Sequence, residues 1–186
     1  MGVETYLGTP NGSLACAPMD DESHHLKALT QILQNAYSGE LAAAYAYRGH
    51  WKSVKKPEER EMIHQIEQEE WSHRAVVGSM LAGLGSKPRR FKEWKMWLIG
   101  RTLGALCHVS GWFFPMFFAG QLEVKNVSEY DTAAGHAKGA GREDLVPALS
   151  HMAITEKEHE IFFFGVIREH RLFPLMKKIF KISSAY

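Results

Sequence analysis

Cysteine is scarce. The 186-residue chain has two, Cys16 and Cys107, and no Cys-x-x-Cys pair. That excludes a disulfide framework, a zinc ribbon and an iron–sulfur cluster, and a reducing, cytoplasmic setting is the expectation. Charge of one sign is also lacking: a formal net charge of +1 offers nothing to a polyanion, so nucleic acid is not an expected partner. The N-terminal stretch has neither the basic n-region nor the apolar run of a secretory signal, and it is acidic and arginine-free, unlike a transit peptide. Gly2 invites a lipidation reading, but Tyr6 stands where Ser or Thr is wanted. Alternating strand patterns, solenoid-length repeats and low-complexity tracts are absent. The most apolar segment, residues 91–120, is no clean membrane span, because Arg101, His108 and several glycines interrupt it.

What is present is helical periodicity, over a length that suits one sizeable domain. Residues 1–20 read as a loose arm, with Asp20, Asp21 and Ser23 as N-cap candidates for a first helix. Leu26, Leu29, Leu33, Glu40, Tyr47 and Trp51 then recur at three- and four-residue steps until Pro57, which suits the first turn of the next helix. The second stripe runs through Ile63, Ile66, Glu70, His73, Val77 and Met80, and Gly85 marks its end. Residues 91–120 read as one short helix, a bend, and a third bundle helix starting near Gly111–Pro115 and ending at Gly139 and Gly141. Its stripe carries Met116, Glu123, Val127, Tyr130 and Ala134. The fourth begins near Asp144, tolerates Pro147 in its first turn, and carries Leu149, Met152, Glu156, His159 and Phe163. A basic amphipathic tail follows at 173–186.

Polar residues interrupt these stripes in a repeated way. Glu70-Trp71-Ser72-His73 and Glu156-Lys157-Glu158-His159 are two copies of Glu-x-x-His, and residues three apart share a helix face. Each copy is matched by a lone glutamate on another helix, Glu40 and Glu123. Two single glutamates with two Glu-x-x-His pairs form the inward-facing ligand set of ferritin-like dimetal bundles. Glutamate and imidazole suit iron or manganese. Two divalent ions would cancel the four carboxylate charges, which are otherwise costly to bury. In this scheme Glu70 and Glu156 bridge the ions, Glu40 and Glu123 are terminal, and His73 and His159 bind one ion each. Tyr47 and Tyr130 lie two turns beyond Glu40 and Glu123, on the same faces, and are candidates for an outer-layer or substrate role. Glu67, Glu69, Glu158 and Glu160 fall off the stripes and read as surface charges. The Trp/Phe-rich, Lys/Arg-edged segment 91–120 fits either bundle cover or a membrane-interface helix, with Trp97, Phe113 and Phe117 as its lipid-facing residues.

The chain resembles the demethoxyubiquinone hydroxylase family. Ser38-Gly39-Glu40 followed by Tyr47 and Gly49 is similar to that family's first-helix pattern, and Glu69-Glu70-Trp71-Ser72-His73 and Glu156-Lys157-Glu158-His159 to its two Glu-x-x-His motifs. Lys87-Pro88-Arg89 and the apolar stretch after it are similar to its basic-Pro segment. One position departs: where the family usually has a His-Tyr pair after the third-helix glutamate, this chain has Glu129-Tyr130. The resemblance implies an all-α, ferritin-like four-helix bundle over residues 21–172, with an extra short apolar helix between bundle helices 2 and 3. It implies two iron ions, with manganese as the alternative, and hydroxylation of a quinone-like lipophilic ring by dioxygen at a membrane surface. An external electron donor, a homo-oligomer and a place on the inner membrane face belong to the same expectation, with Tyr130 and Glu129 as catalytic candidates. A rubrerythrin- or ferritin-like iron protein and a non-catalytic carrier bundle stand as alternatives.

Overall fold

The computed structural model describes residues 19–181, with side chains from residue 21 onward. Residues 1–18 of the expected arm and 182–186 of the expected tail lie outside the described residues. Six α-helices follow in order: α1 (Met19–Ser53), α2 (Pro57–Gly83), α3 (Arg90–Leu106), α4 (Phe113–Gly139), α5 (Val146–Ile167) and α6 (Phe173–Phe180), with a 3₁₀ turn at Glu143–Leu145 before α5. No strand occurs among the described residues. Pro57 opens α2 and Pro147 sits in the first turn of α5, where the missing N–H costs nothing. Gly85 and Gly141 take positive φ (66° and 63°), so Ser86 N–H reaches back to Leu81 O and Arg142 N–H to Ala137 O, closing α2 and α4.

Short links make α1/α2 and α4/α5 antiparallel hairpins, and α1 against α4 with α2 against α5 completes the four-helix bundle. The fold is all-helical and ferritin-like, with α3 in the long connection between the hairpins. α3 lies on α1 at a crossing made by glycines: a Cβ on Gly100 would meet Ala42 O, and one on Gly49 would meet Gly104. These glycines do not break α3; they let two backbones touch. Polar ties hold its first turns, from Arg74 to Glu93, from Lys92 to Asn35, and from Arg89 Nε to Gln34 Oε1 at 2.8 Å.

The interior is apolar at both ends and polar in the middle. One cluster contains Leu29, Leu33, Val77, Leu81, Leu149 and Met152; the other contains Ile63, Ile66, Met116, Phe117, Phe163 and Ile167. Between them lies a layer of glutamates and histidines. Three expectations are corrected. Leu26 is 40% exposed and Trp51 only half-buried, so the α1 stripe is narrower than its spacing implies. Phe113 and Phe117 are buried and Phe114 and Phe118 face outward, because 113 and 117 fall at helical spacing on the side of α4 that carries Met116 and Glu123. Glu67 and Glu160 are buried: Glu67 accepts bonds from Arg48, Trp51 and Trp71, and Glu160 pairs with Lys157.

Candidate metal centre

The polar layer consists of the six residues singled out by spacing. Glu40, Glu70, His73, Glu123, Glu156 and His159 come from four different helices, and none exposes more than 6% of its surface. They form two overlapping groups: Glu40, Glu70, His73 and Glu156, and Glu70, Glu123, Glu156 and His159. Within each group, one ligand atom per residue lies within 4.8 Å of the others. Glu70 and Glu156 belong to both groups, as bridging carboxylates must. Glu156 turns one oxygen to each imidazole, Oε1 at 3.0 Å from His73 Nδ1 and Oε2 at 3.4 Å from His159 Nδ1.

These side chains fit a metal pair and fit poorly without one. Both oxygens of Glu70 and of Glu156, Oε2 of Glu40 and Nδ1 of both histidines are buried with no hydrogen-bond partner. Buried polar atoms are almost always satisfied, and seven orphans in one layer are what a metal-binding layer would leave without its ions. Burial, reinforced by repulsion from Glu156, pushes the Glu70 and Glu123 carboxyls well above the usual carboxylate range. Burial raises Glu40 as well. Burial acts the same way on Glu156, but the close imidazoles of His159 and His73 overcome it and hold that group low. The protons held by the raised carboxyls are those that divalent cations would displace.

An outer layer holds three of the six, Glu40, Glu123 and His159, in place. The Tyr130 hydroxyl donates to Glu40 Oε1 and the Tyr47 hydroxyl to Glu123 Oε1, so each tyrosine, two turns beyond one terminal glutamate, braces the other. Both phenols are pushed well above their ordinary value, by burial first and then by neighbouring carboxylates, and so remain donors. Asn126 Nδ2 donates to Glu123 Oε2 at 2.9 Å. Glu69, read from sequence as a surface charge, has Oε2 2.6 Å from His159 Nε2, the nitrogen facing away from the cluster. Spacing along α2 cannot reveal this contact, because it is made to α5.

Glu129 lies outside the cluster. It is half-buried in the wall of a cavity of about 500 Å³ between α1, α3 and α4, whose lining includes Glu40, Tyr130, Lys92 and Lys125. Burial raises its carboxyl, partly offset by Lys125 and Lys92. A second cavity of about 510 Å³ shares Ala46, Leu103 and Leu122 with the first and continues past Tyr47 to Phe114 and Phe118. The two make one largely apolar groove under α3, with Glu40 and Tyr130 at its inner end.

The fold and site together define an all-helical, ferritin-like bundle with overlapping buried Glu/His groups in its middle layer that could hold a metal ion. The family described as ubiquinone biosynthesis protein COQ7 matches residues 27–131, and the chain belongs to it. That range carries Glu40, Glu70, His73 and Glu123; the α5 pair lies beyond it. Similar curated proteins include the 3-demethoxyubiquinol 3-hydroxylases of Francisella tularensis subsp. holarctica (strain LVS) and subsp. novicida (strain U112). Each is 27% identical over 143 residues, covering 75% of this chain and 64% of the relative. The chain thus spans less than two thirds of the length of the curated relatives it matches. No solved structure matches it significantly.

Proposed function

We propose that this chain is a di-iron monooxygenase that hydroxylates the ring of a quinol or quinone bearing a lipophilic tail. The single observation that carries this reading is the apolar groove ending at Glu40 and Tyr130, beside a buried six-ligand layer. Family membership and the printed activity of the relatives, hydroxylation of 3-demethoxyubiquinol, supply the substrate class. Glu40, Glu70, His73, Glu123, Glu156 and His159 would hold the two ions, iron by preference on donor type. When bound, that pair supplies the electrons and Lewis acidity that activate dioxygen. One oxygen atom enters the ring and the other leaves as water, with two electrons and two protons per turnover coming from an external donor.

The chain's own residues do the rest. The groove accepts a flat ring with an apolar tail and keeps water from the reacting end. Tyr130 holds Glu40 by its hydroxyl, and Glu129, on the same cavity wall with a carboxyl raised by burial, would exchange a proton with a ring oxygen in this reading. In a single-turnover experiment, the reduced iron-loaded chain with oxygen and a short-tailed methoxyquinol should yield a product heavier by one oxygen atom. Peroxide consumption without oxygenated ring would favour the rubrerythrin-like alternative, and iron uptake far beyond two per chain would favour storage.

In this reading the substrate comes from a membrane surface, supported by exposed apolar residues on α3, α4 and α6. No helix among the described residues is long and apolar enough to cross a membrane. Phe91, Trp94, Leu98 and Phe118 nevertheless expose 77%, 59%, 46% and 50% of their surface. Amphipathic α6 adds exposed Leu175 and Ile179 beside Lys177 and Lys178. Changing Trp94 and Phe118 together to Ser should weaken liposome binding at least about tenfold while leaving metal content unchanged. An unmodified chain with no affinity for anionic or neutral liposomes would remove the membrane from this reading.

A further inference from the structure

The two halves of the candidate centre share a ligand set but differ in what surrounds it. At the Glu123/His159 half, both Glu123 oxygens are held, Oε1 by Tyr47 and Oε2 by Asn126. His159 is held from behind by Glu69, and Glu69 is itself fixed by Gln65 Nε2 at 2.8 Å from Oε1. At the Glu40/His73 half, Glu40 has one oxygen on Tyr130 and the other buried without a partner. Among the described residues no carboxylate bonds the outer nitrogen of His73. The position in α5 that corresponds to Glu69 is Thr155, one residue before Glu156, and its hydroxyl donates to His151 O instead. The groove differs in the same sense: it touches Glu40 directly, whereas Asn126 and Tyr47 stand between it and Glu123.

A carboxylate behind a ligating imidazole fixes the ring and its tautomer and makes the facing nitrogen a better donor. A terminal glutamate with both oxygens engaged enters coordination already oriented, whereas one with a free oxygen can swing. We propose that Glu69 is a positioning residue that, with Asn126, makes the Glu123/His159 half the tight metal position. The Glu40/His73 half, at the groove's inner end, is then the exchangeable position, where the ring arrives and ligation can change. This inference rests on the dimetal reading above but is separable from it.

The experiment is a Co²⁺ titration of the full metal-free chain under nitrogen, followed by the d–d absorption that reports coordination geometry. Two steps of unequal affinity are expected in the unmodified chain. Glu69→Gln keeps the shape and loses the charge; it should weaken the first step about ten- to hundredfold and leave the second nearly unchanged. Asn126→Ala should act on the same step in the same direction. His73→Gln should abolish the second step and keep the first, and His159→Gln should abolish the first. If Glu69→Gln leaves both steps as they were, or weakens both equally, the assignment of Glu69 is overturned. If His73→Gln removes the first step, the order of the two halves is overturned while the dimetal reading stands. Fewer than two Co²⁺ per unmodified chain overturns the dimetal reading itself, and this inference with it.

Discussion

Glu70→Ala and Glu156→Ala are each expected to lose both metal ions, and hydroxylation with them. Each residue belongs to both ligand groups, so neither half keeps four donors once it is gone. The affinity loss should exceed the roughly 100-fold ceiling seen when only an outer partner is removed. The stability effect should have the opposite sign without metal. Glu70 is fully buried with both oxygens unpartnered. In the metal-free chain it contributes cost without compensation, and a buried polar group without a partner costs about 1–3 kcal/mol. Glu70→Leu should therefore melt above the metal-free wild type and below the metal-loaded one. Inductively coupled plasma analysis and paired melting curves check both halves. Full metal content in Glu70→Ala and Glu156→Ala would remove these residues from the bridging role.

The metal-free chain is also expected to lose stability as pH rises from about 5 to 8, contrary to ordinary acid denaturation. Burial raises Glu40, Glu70 and Glu123 above 4.5, so above that pH the native state binds more protons than the unfolded chain until each raised value is passed. Where the native state binds more protons, stability falls with rising pH, by up to about 1.4 kcal/mol per pH unit for each proton held. Burial works against the His159 cation, but Glu156 and Glu69 overcome it and raise that group, which adds to the slope. His50, which burial pushes down to about 4, and His136, lowered by burial and by His25 and His24, oppose it. The stability that Glu156 contributes is lost only as pH falls through its depressed value, below this window. Metal loading should flatten the profile, because the ions replace the protons, and an unbuffered titration should record acid release. A metal-free melting temperature that climbs from pH 5 to 8 would mean that the carboxyls are ionised together.

The parts of this site that were legible in the sequence are those that a helix writes along itself. A charged residue at mid-stripe is anomalous against its apolar neighbours, so Glu40, Glu70, His73, Glu123, Glu156 and His159 stand out by period alone. The two hairpins are legible for the same reason, together with Pro57, Gly85, Pro147 and Gly141 at their ends. What happens between helices is not written this way. Glu69 sits one position off its stripe and is drawn in by an imidazole on α5. Glu67 is buried because Arg48 and Trp51 of α1 reach it. The exchange of tyrosines between Glu40 and Glu123 depends on how α1 faces α4. Phe113 and Phe117 read as lipid-facing from the aromatic, basic-edged composition of the segment, although their spacing from Met116 and Glu123 puts them on the inward side of α4. Glu129, expected near the chemistry, is on the groove wall rather than among the ligands.

The difference between Glu69 and Thr155 bears on symmetry. A two-fold pair of identical hairpins could assemble four carboxylates and two imidazoles, but the operator would force both imidazoles to have the same neighbour. Every improvement on one side would be copied to the other. Covalent joining of the hairpins through α3 releases that constraint. One half can then be tuned to grip while the other stays open to the groove, and the connecting segment that breaks the equivalence of the halves also roofs the groove that makes use of it.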